Sequence, residues 1–273
     1  MTLTALLRGR IGLRQWAKYR VYGPRGWFPY YGYRVYFPKG CGAFQRVCET
    51  GIFEPENTKL LQRLCRPGTC LFDVGGNLGL MALPVLRAVS ESTVVSFEPS
   101  PNALPWLRRT VADSGAGARW RIVESAIGRS AGTASFSVSA LADGLYDGLT
   151  HTGRTGEARK VEVPVTTLDL EWKRLSQPQV SVVKIDVEGG ELDVLRGGQE
   201  LLARLRPFVL TEWCRLNYRA YGIRCDALLS FAHEHGYLLY AAPEMIPLTN
   251  ARDMDVQAMR TDSYLMAPRE LSE

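Results

Sequence analysis

The stretch LFDVGGNLGL, Leu71 to Leu80, ends an apolar run on an acid and then breaks into glycines. Gly75, Gly76 and Gly79 admit left-handed backbone and let a ligand approach bare main chain. A helix opening just beyond them offers unpaired N–H groups and the positive end of its dipole. A second acid, Glu98, ends the next apolar run, TVVSFE. An acid there suits the two hydroxyls of a ribose. Glycine turn, helix, strand and acid together describe a nucleoside site.

The nucleoside is not a dinucleotide. The pattern G-x-G-x-x-G is missing, because Asn77 stands where the second glycine belongs. A pyrophosphate requires that close approach, and a phosphate-free ligand does not. Asp73 would repel phosphate but can hold a cationic amino group. Adenosine joined to an amino acid through a sulfonium meets both demands, so the expected cofactor is S-adenosylmethionine.

The stretch KIDVEGGELDVL then places Asp186 and Glu188 at the end of a later strand. Methyl transfer from a sulfonium is an in-line displacement, so alignment of the nucleophile matters most; orientation can supply on the order of 7–11 kcal/mol. A hydroxyl acceptor gains a further 10²–10⁴-fold, roughly, from a base that removes its proton. Asp186 is the first candidate for that base and Glu188 the second, although both also fit as caps of a helix opening at Gly189. His151, in the polar stretch LADGLYDGLTHTGR, is a third candidate, against the plainer reading of an exposed loop histidine. Asp186 and Glu212 could share a divalent cation, but no remaining ligands are evident and no metal is expected. His233 and His235 point to different faces of a helix and read as surface or packing residues.

These residues need elements to position them. From Cys70 onward CLFDV, TVVSFE and RWRIVES read as strands, with helices over 78–89 and through PNALPWLRRTVADSG. GTASFSVSA and KVEVPVTTLDL read as two extra strands around a mobile polar insertion, about 141–159. Alternation resumes with VSVVKIDV, a helix over 191–205, PFVLTEW and a helix over 226–235; GYLLYAA and SYLMAP close as a pair. Apolar strands alternating with helices predict a mainly parallel sheet covered on both faces, with ligands at the carboxyl ends of its strands.

Composition bounds the rest. The chain has 273 residues, 46% hydrophobic and 22% charged, with net charge +5, ordinary values for a globular protein. The basic residues crowd before Glu49, giving a basic head that suggests an anionic surface or ligand, or only a solubilising leader. Within it WFPYYGYRVYFPKG reads as packing over the body, with a membrane interface as the alternative; residues 1 to about 20 could form a short amphipathic helix. Six cysteines without C-x-x-C spacing indicate neither zinc nor a redox pair. No run reaches transmembrane length, so the expected location is cytoplasmic, with membrane association through the head left open. Nothing points to nucleic acid; homo-oligomer formation stays open.

FDVGGNLG, VVSFEPSPNALPWLRR, VESAIG, VEVPVTTLDL and VVKIDVEGGELDVLRGG, in this order, resemble the FkbM-type family of S-adenosylmethionine-dependent methyltransferases over roughly 51–213. The resemblance implies a class I methyltransferase (Rossmann-like) sheet of seven strands, the last antiparallel. It implies O-methylation of sugars, polyketides and related secondary metabolites. It places Asp73, Gly75, Gly76, Asn77 and Gly79 around the amino acid half of the cofactor, Gly76 standing where an alanine is usual. Glu98 then binds the ribose, Pro99, Ser100 and Asn102 shape the adenosine rim, and Ser125 and Ala126 lie against adenine. Glu54 matches a family glutamate that closes over the cofactor, with Asp186 near the methyl. The expected organisation is an extension, 1–50, followed by a methyltransferase domain, 51–273. Methylation of a glycolipid or envelope saccharide at a membrane, N-methylation, and a non-catalytic nucleoside-binding protein are the alternatives.

Overall fold

The computed structural model describes residues 12–140, 144–150, 152–153 and 158–271. The basic head begins with helix α1, Leu13–Tyr22, and a hairpin of β1, Trp27–Tyr30, and β2, Tyr33–Tyr36. Helices α2, Gly42–Thr50, and α3, Pro55–Leu64, lead to the first strand of the main sheet, β3, Cys70–Val74. Then come α4, Ala82–Ala88, β4, Thr93–Phe97, α5, Leu104–Asp113, and β5, Trp120–Val123. A side sheet follows, built from β6, Ala126–Ile127, β7, Gly132–Ser139, and β8, Ala158–Thr166. The alternation resumes with α6, Leu168–Arg174, β9, Val180–Ile185, α7, Glu191–Arg196, α8, Gln199–Leu205, and β10, Phe208–Glu212. Helices α9, Arg215–Ala220, and α10, Ala227–Glu234, precede β11, Tyr237–Ala241, β12, Ile246–Leu248, α11, Ala251–Gln257, and β13, Ser263–Pro268.

The main sheet runs β12-β11-β13-β10-β9-β3-β4-β5. Strands β5, β4, β3, β9 and β10 are parallel neighbours, and β13 enters antiparallel between β10 and β11. The seven expected strands are therefore present with the last reversed, and the short β12 adds an eighth at the edge. Strand order reverses direction between β3 and β9, so their carboxyl ends open the crevice where ligands of such sheets bind.

Period-two alternation divides each central strand between two cores. Phe72, Val95, Val183 and Val209 feed one cluster; Leu71, Val94, Val182 and Leu210 feed the other. Both faces are thus covered, as the apolar runs predict.

The aromatic head belongs to the second cluster. Phe28, Tyr30, Val35 and Phe37 are buried there with Phe44 of α2 and the α4 residues Leu83 and Val85. Phe37 and Phe44 stack at 4.2 Å between ring centroids, and the Phe53 N–H donates to the Tyr30 hydroxyl at 3.2 Å. Packing thus crosses residue 50. Of the amphipathic helix expected over 1–20, Leu13–Tyr22 is helical with no residue fully buried; residues 1–11 lie outside the described set. Among the described residues no helix is long and apolar enough to cross a membrane.

Two expected elements differ. The helix over 191–205 breaks at Gly197 and Gly198. A Cβ on Gly197 would strike the Gly128 carbonyl, and one on Gly198 would sit 2.8 Å from the Leu168 side chain. The chain bends there because two neighbours come too close for a side chain. The insertion is not wholly loose either: the Ser137 and Gly148 backbones exchange both hydrogen bonds, at 2.7 and 3.1 Å. That tie fixes residues 144–150 to β7.

Phe44→Ala tests whether the head is part of the fold. Losing a buried phenyl costs about 3–5 kcal/mol. The urea midpoint should fall accordingly with the denaturant slope unchanged; an exposed leader would show no shift.

Candidate active site

A polar chain runs beneath the crevice, strand to strand. The Trp120 indole N–H of β5 donates to the Ser96 hydroxyl of β4 at 3.0 Å. Ser96 donates to Asp73 Oδ2 of β3 at 3.2 Å. Lys184 of β9 lies 3.5 Å from Asp73 Oδ1 and 3.6 Å from Asp186 Oδ2, and donates to the Gly75 carbonyl at 2.9 Å. Burial pushes the Asp73 carboxyl up, and the Lys184 ammonium and Ser96 hydroxyl oppose it. Burial pulls Lys184 the other way, but Asp186, Asp73 and Glu54 together outweigh it, so its net shift is upward. Lys184 thus remains a cation inside the protein.

The structure places Asp73 below the crevice. It is 0% exposed and absent from the crevice lining. The cation it holds is the protein's own lysine, below the glycine turn. The glycines act largely on the protein too. A Cβ on Gly75, φ +77°, would run into the Asp186 carbonyl, and one on Gly79, φ +83°, into the Trp120 ring. Gly76 allows Ser96 its place, since a Cβ there would lie 2.8 Å from the Ser96 Cβ. The turn is glycine-rich because strand tips β3 and β9 close tightly over the polar chain.

Above it lies a cleft. Gly75, Gly76, Asn77, Glu98, Pro99, Ser125, Ala126, Asp186 and Glu188 line it, as do Phe53, Phe136 and Leu149. The structure thus brings together most of the residues singled out from sequence. Glu98 accepts from the Asn77 N–H and the Ser100 N–H, each at 2.8 Å. Burial pushes its carboxyl up to about 7, partly offset by those two donors. Each carboxylate oxygen carries a second lone pair, so Glu98 retains capacity toward the cleft. Ser100 lies behind the rim, and Asn102 turns away, its amide donating to the Ser139 carbonyl at 3.2 Å. Gly79, Ser100 and Asn102 are not lining residues.

Three left-handed residues mark the corners: Glu54 at φ 41°, Asn77 at φ 46° and Glu188 at φ 58°. Asn tolerates this backbone; for the two glutamates it costs about 1–2 kcal/mol each. Such strain concentrates at functional sites. Gly190, at the start of the helix after β9, has no side-chain cap. Glu191 Oε1 folds back instead onto the preceding turn, accepting from Gly189 N–H at 2.9 Å and Val187 N–H at 3.4 Å. Burial pushes Glu191 up to about 7, against those backbone donors.

Asp186 also borders a small recess, lined by Glu54, Asn57, Thr211, Glu212 and Ser263. Asn57 donates to Glu54 Oε2 at 3.0 Å and to the Ser263 hydroxyl at 2.9 Å. Burial and then Asp186 push the Glu54 carboxyl up, with Asn57 and Lys184 opposing. Asp186, Glu188 and Glu212 each bring an oxygen within 4.8 Å of the others, forming the acidic rim between the two spaces. His151 lies outside the described residues. His233 is exposed, and the His235 ring stacks on Phe231 at 4.0 Å.

Sequence reasoning missed Lys184, Glu191 and Asp147. Lys184 is the one cation in the run VSVVKI, whose other side chains are all uncharged, and that anomaly was the available signal. Lys184→Met leaves Asp73 buried without its cation, a loss of about 3–5 kcal/mol. Asp73 then titrates still further above its ordinary 3.8. A folded value above the unfolded one favours folding at low pH, and that stability is lost as pH rises through the folded value. The variant should therefore lose more stability than wild type as pH rises above 3.8 in urea titrations; parallel profiles would remove the pairing.

The family model described as the methyltransferase FkbM domain matches residues 73–239. The chain is 25% identical over 170 residues to methyltransferase sdnD of Sordaria araneosa, covering 52% of this chain and 66% of that protein. It is 27% identical over 164 residues to methyltransferase 1 of Beauveria bassiana (strain ARSEF 2860), covering 53% and 64%. The chain thus spans just under two thirds of these curated relatives. Among solved structures it is similar to a methyltransferase FkbM of Methylobacillus flagellatus KT, with 13% identity, TM-score 0.45, and coverage of 93% and 59%. A cofactor-bound protein from MTB has 12% identity, TM-score 0.47, and coverage of 98% and 96%. Those two likenesses are too distant to bear on the site. With the family model covering most of the sheet and the glycine turn that opens the cleft, the chain belongs to the FkbM methyltransferase family.

Proposed function

We propose that this chain is an S-adenosylmethionine-dependent methyltransferase acting on a hydroxyl of a sugar, polyketide or related secondary metabolite. The observation that carries the reading is the charge of the cleft. Glu98, Asp147, Asp186 and Glu188 line it, with Lys184 the one cation among its described lining residues. Lys184 is already engaged by Asp73, Asp186 and the Gly75 carbonyl. Such a wall opposes a pyrophosphate and suits a phosphate-free ligand that carries positive charge and several donors. A nucleoside joined to a cationic amino acid has that chemistry.

S-adenosylmethionine, when bound, supplies a methyl group on a cationic sulfur. The protein's part is placement and proton removal. Glu98 accepts from ribose hydroxyls at the strand tip of β4. Asp186 stands where the cleft meets the smaller recess, so a hydroxyl entering from the recess meets its carboxylate. There Asp186 holds the acceptor in line and takes its proton, with Lys184 fixing the carboxylate from behind. Asn57, Thr211, Glu212 and Ser263 offer hydrogen-bonding groups to a polar acceptor in the recess. These are the demands of orientation and base catalysis.

Calorimetry should show S-adenosylhomocysteine binding and NAD not binding; the reverse preference would reject the reading. Ribose hydroxyls favour ionised Glu98, so affinity should rise with pH through about 7. Glu98→Gln should flatten that profile. Asp186→Asn should cut turnover by about 10²–10⁴-fold and change cofactor affinity far less. An unaltered rate would remove Asp186 as the base.

A further inference from the structure

Helix α1, Leu13–Tyr22, is held to the body by one face. Tyr19 stacks on Phe44 with 5.7 Å between ring centroids, and Tyr19 and Tyr22 pack against the second core cluster. The Gln15 amide donates to the Glu49 carbonyl at 3.3 Å. Gln15, Tyr19 and Tyr22 follow at i, i+4 and i+7, so the opposite face points to solvent. A solvent face is ordinarily polar. Here it carries an apolar ridge of Leu13, Ala17 and Val21 at i, i+4 and i+8. Leu13 is 68% and Val21 45% exposed, and Ala17 between them is exposed as well.

Cations border that ridge. Arg14 and Lys18 run along one side of it and Arg20 along the other, all three exposed. Residues 12–48 contain no acid. Among the described residues, Arg34 alone of the cations before Glu49 forms an ion pair, with Asp113 at 3.8 Å. Half-buried tryptophans accompany the arginines: Arg20 lies over Trp16 at 5.8 Å, and Arg34 over Trp27 at 4.9 Å. Trp27 sits against the end of the helix, 6.1 Å from Tyr22 between ring centroids.

We propose that this face of α1 docks on an anionic lipid bilayer. Leu13 and Val21 enter the acyl boundary, while Arg14, Lys18 and Arg20 meet the charged headgroups. The basic side chains reach those headgroups with their stems lying along the apolar layer. Indoles beside arginines fit the same depth, where one end of a ring is apolar and the other wet. Charge opposes the other covers. A second copy would bring the same cations against these, and the chain's own residues 1–11 carry Arg8 and Arg10 and no acid. A nucleic acid would satisfy the cations but leave the ridge in water. The proposal stands apart from the cofactor reading.

The test co-sediments the full chain with vesicles of phosphatidylcholine alone and of phosphatidylcholine mixed with phosphatidylglycerol. Wild type should bind the anionic vesicles, ignore the neutral ones, and weaken as salt is raised. A cation near such a surface contributes about fivefold in affinity, so Arg14→Gln, Lys18→Gln and Arg20→Gln together should lower it roughly a hundredfold. Leu13→Ser with Val21→Ser should lower it about tenfold or more, a loss that a purely electrostatic contact would not show. No binding to anionic vesicles, equal binding to both kinds, or unchanged binding by the folded variants overturns the proposal. So does binding of single-stranded RNA with vesicles ignored. A dimer that Leu13→Ser with Val21→Ser dissolves, again with vesicles ignored, gives the face to a second copy and overturns it too. Thermal unfolding separates misfolded variants from altered docking, and the wild-type lipid comparison decides without them.

Discussion

A buried ammonium shared between the tips of two parallel strands is the constraint around which this site is organised. Lys184 rises from β9, reaches Asp73 on β3, its own strand's Asp186, and the carbonyl of Gly75. Taking these charges out of water costs several kcal/mol per ion, recovered only when geometry and hydrogen bonding are good. Here Ser96 and Trp120 extend the network across two more strands. Without that ammonium, Asp73 would be a buried anion under the glycine turn with no cation beside it. The close approach that forbids a Cβ at Gly75 is the backbone expression of the same pairing.

Around this floor the walls come from segments of very different kinds. Strand tips supply Glu98 and Asp186, as the crevice of a doubly wound sheet predicts. Glu54 comes from the start of α3, braced by Asn57 against Ser263 of the last strand. Phe53, beside it, is held by Tyr30 of the aromatic hairpin. Asp147 comes from the excursion after β7. The head thus braces a residue of the cleft wall and the last strand lines the adjoining recess, although the family match covers 73–239.

What was legible in the sequence follows from periodicity. Strands β3, β4, β9 and β10 are apolar runs closed by small or acidic residues, and their order was readable because both faces are buried. Glu98 and Asp186 were readable because an acid at a strand tip is conspicuous. Lys184 was harder, since its neighbours in β9 mask it and two of its partners, Asp73 and the Gly75 carbonyl, lie on or just past another strand. Asp73 was placed correctly along the chain but one layer too high, because spacing gives position and not depth. Glu191 escaped because its carboxylate folds back onto the turn preceding it. Asp147 depends on a register between β7 and a later segment that no local pattern encodes.

The place of β13 in the sheet bears on how the protein is made. It lies between β10 and β11, so the earlier of its two neighbours and the later one have no direct pairing until it arrives. On the ribosome β3, β4 and β5 can zip together as they emerge, while β10 waits with a bare, apolar edge. Exposed strand edges of this kind invite association with other chains. The nascent polypeptide therefore passes through a vulnerable interval that ends when its final strand slots home, and chaperone dependence during synthesis would concentrate there.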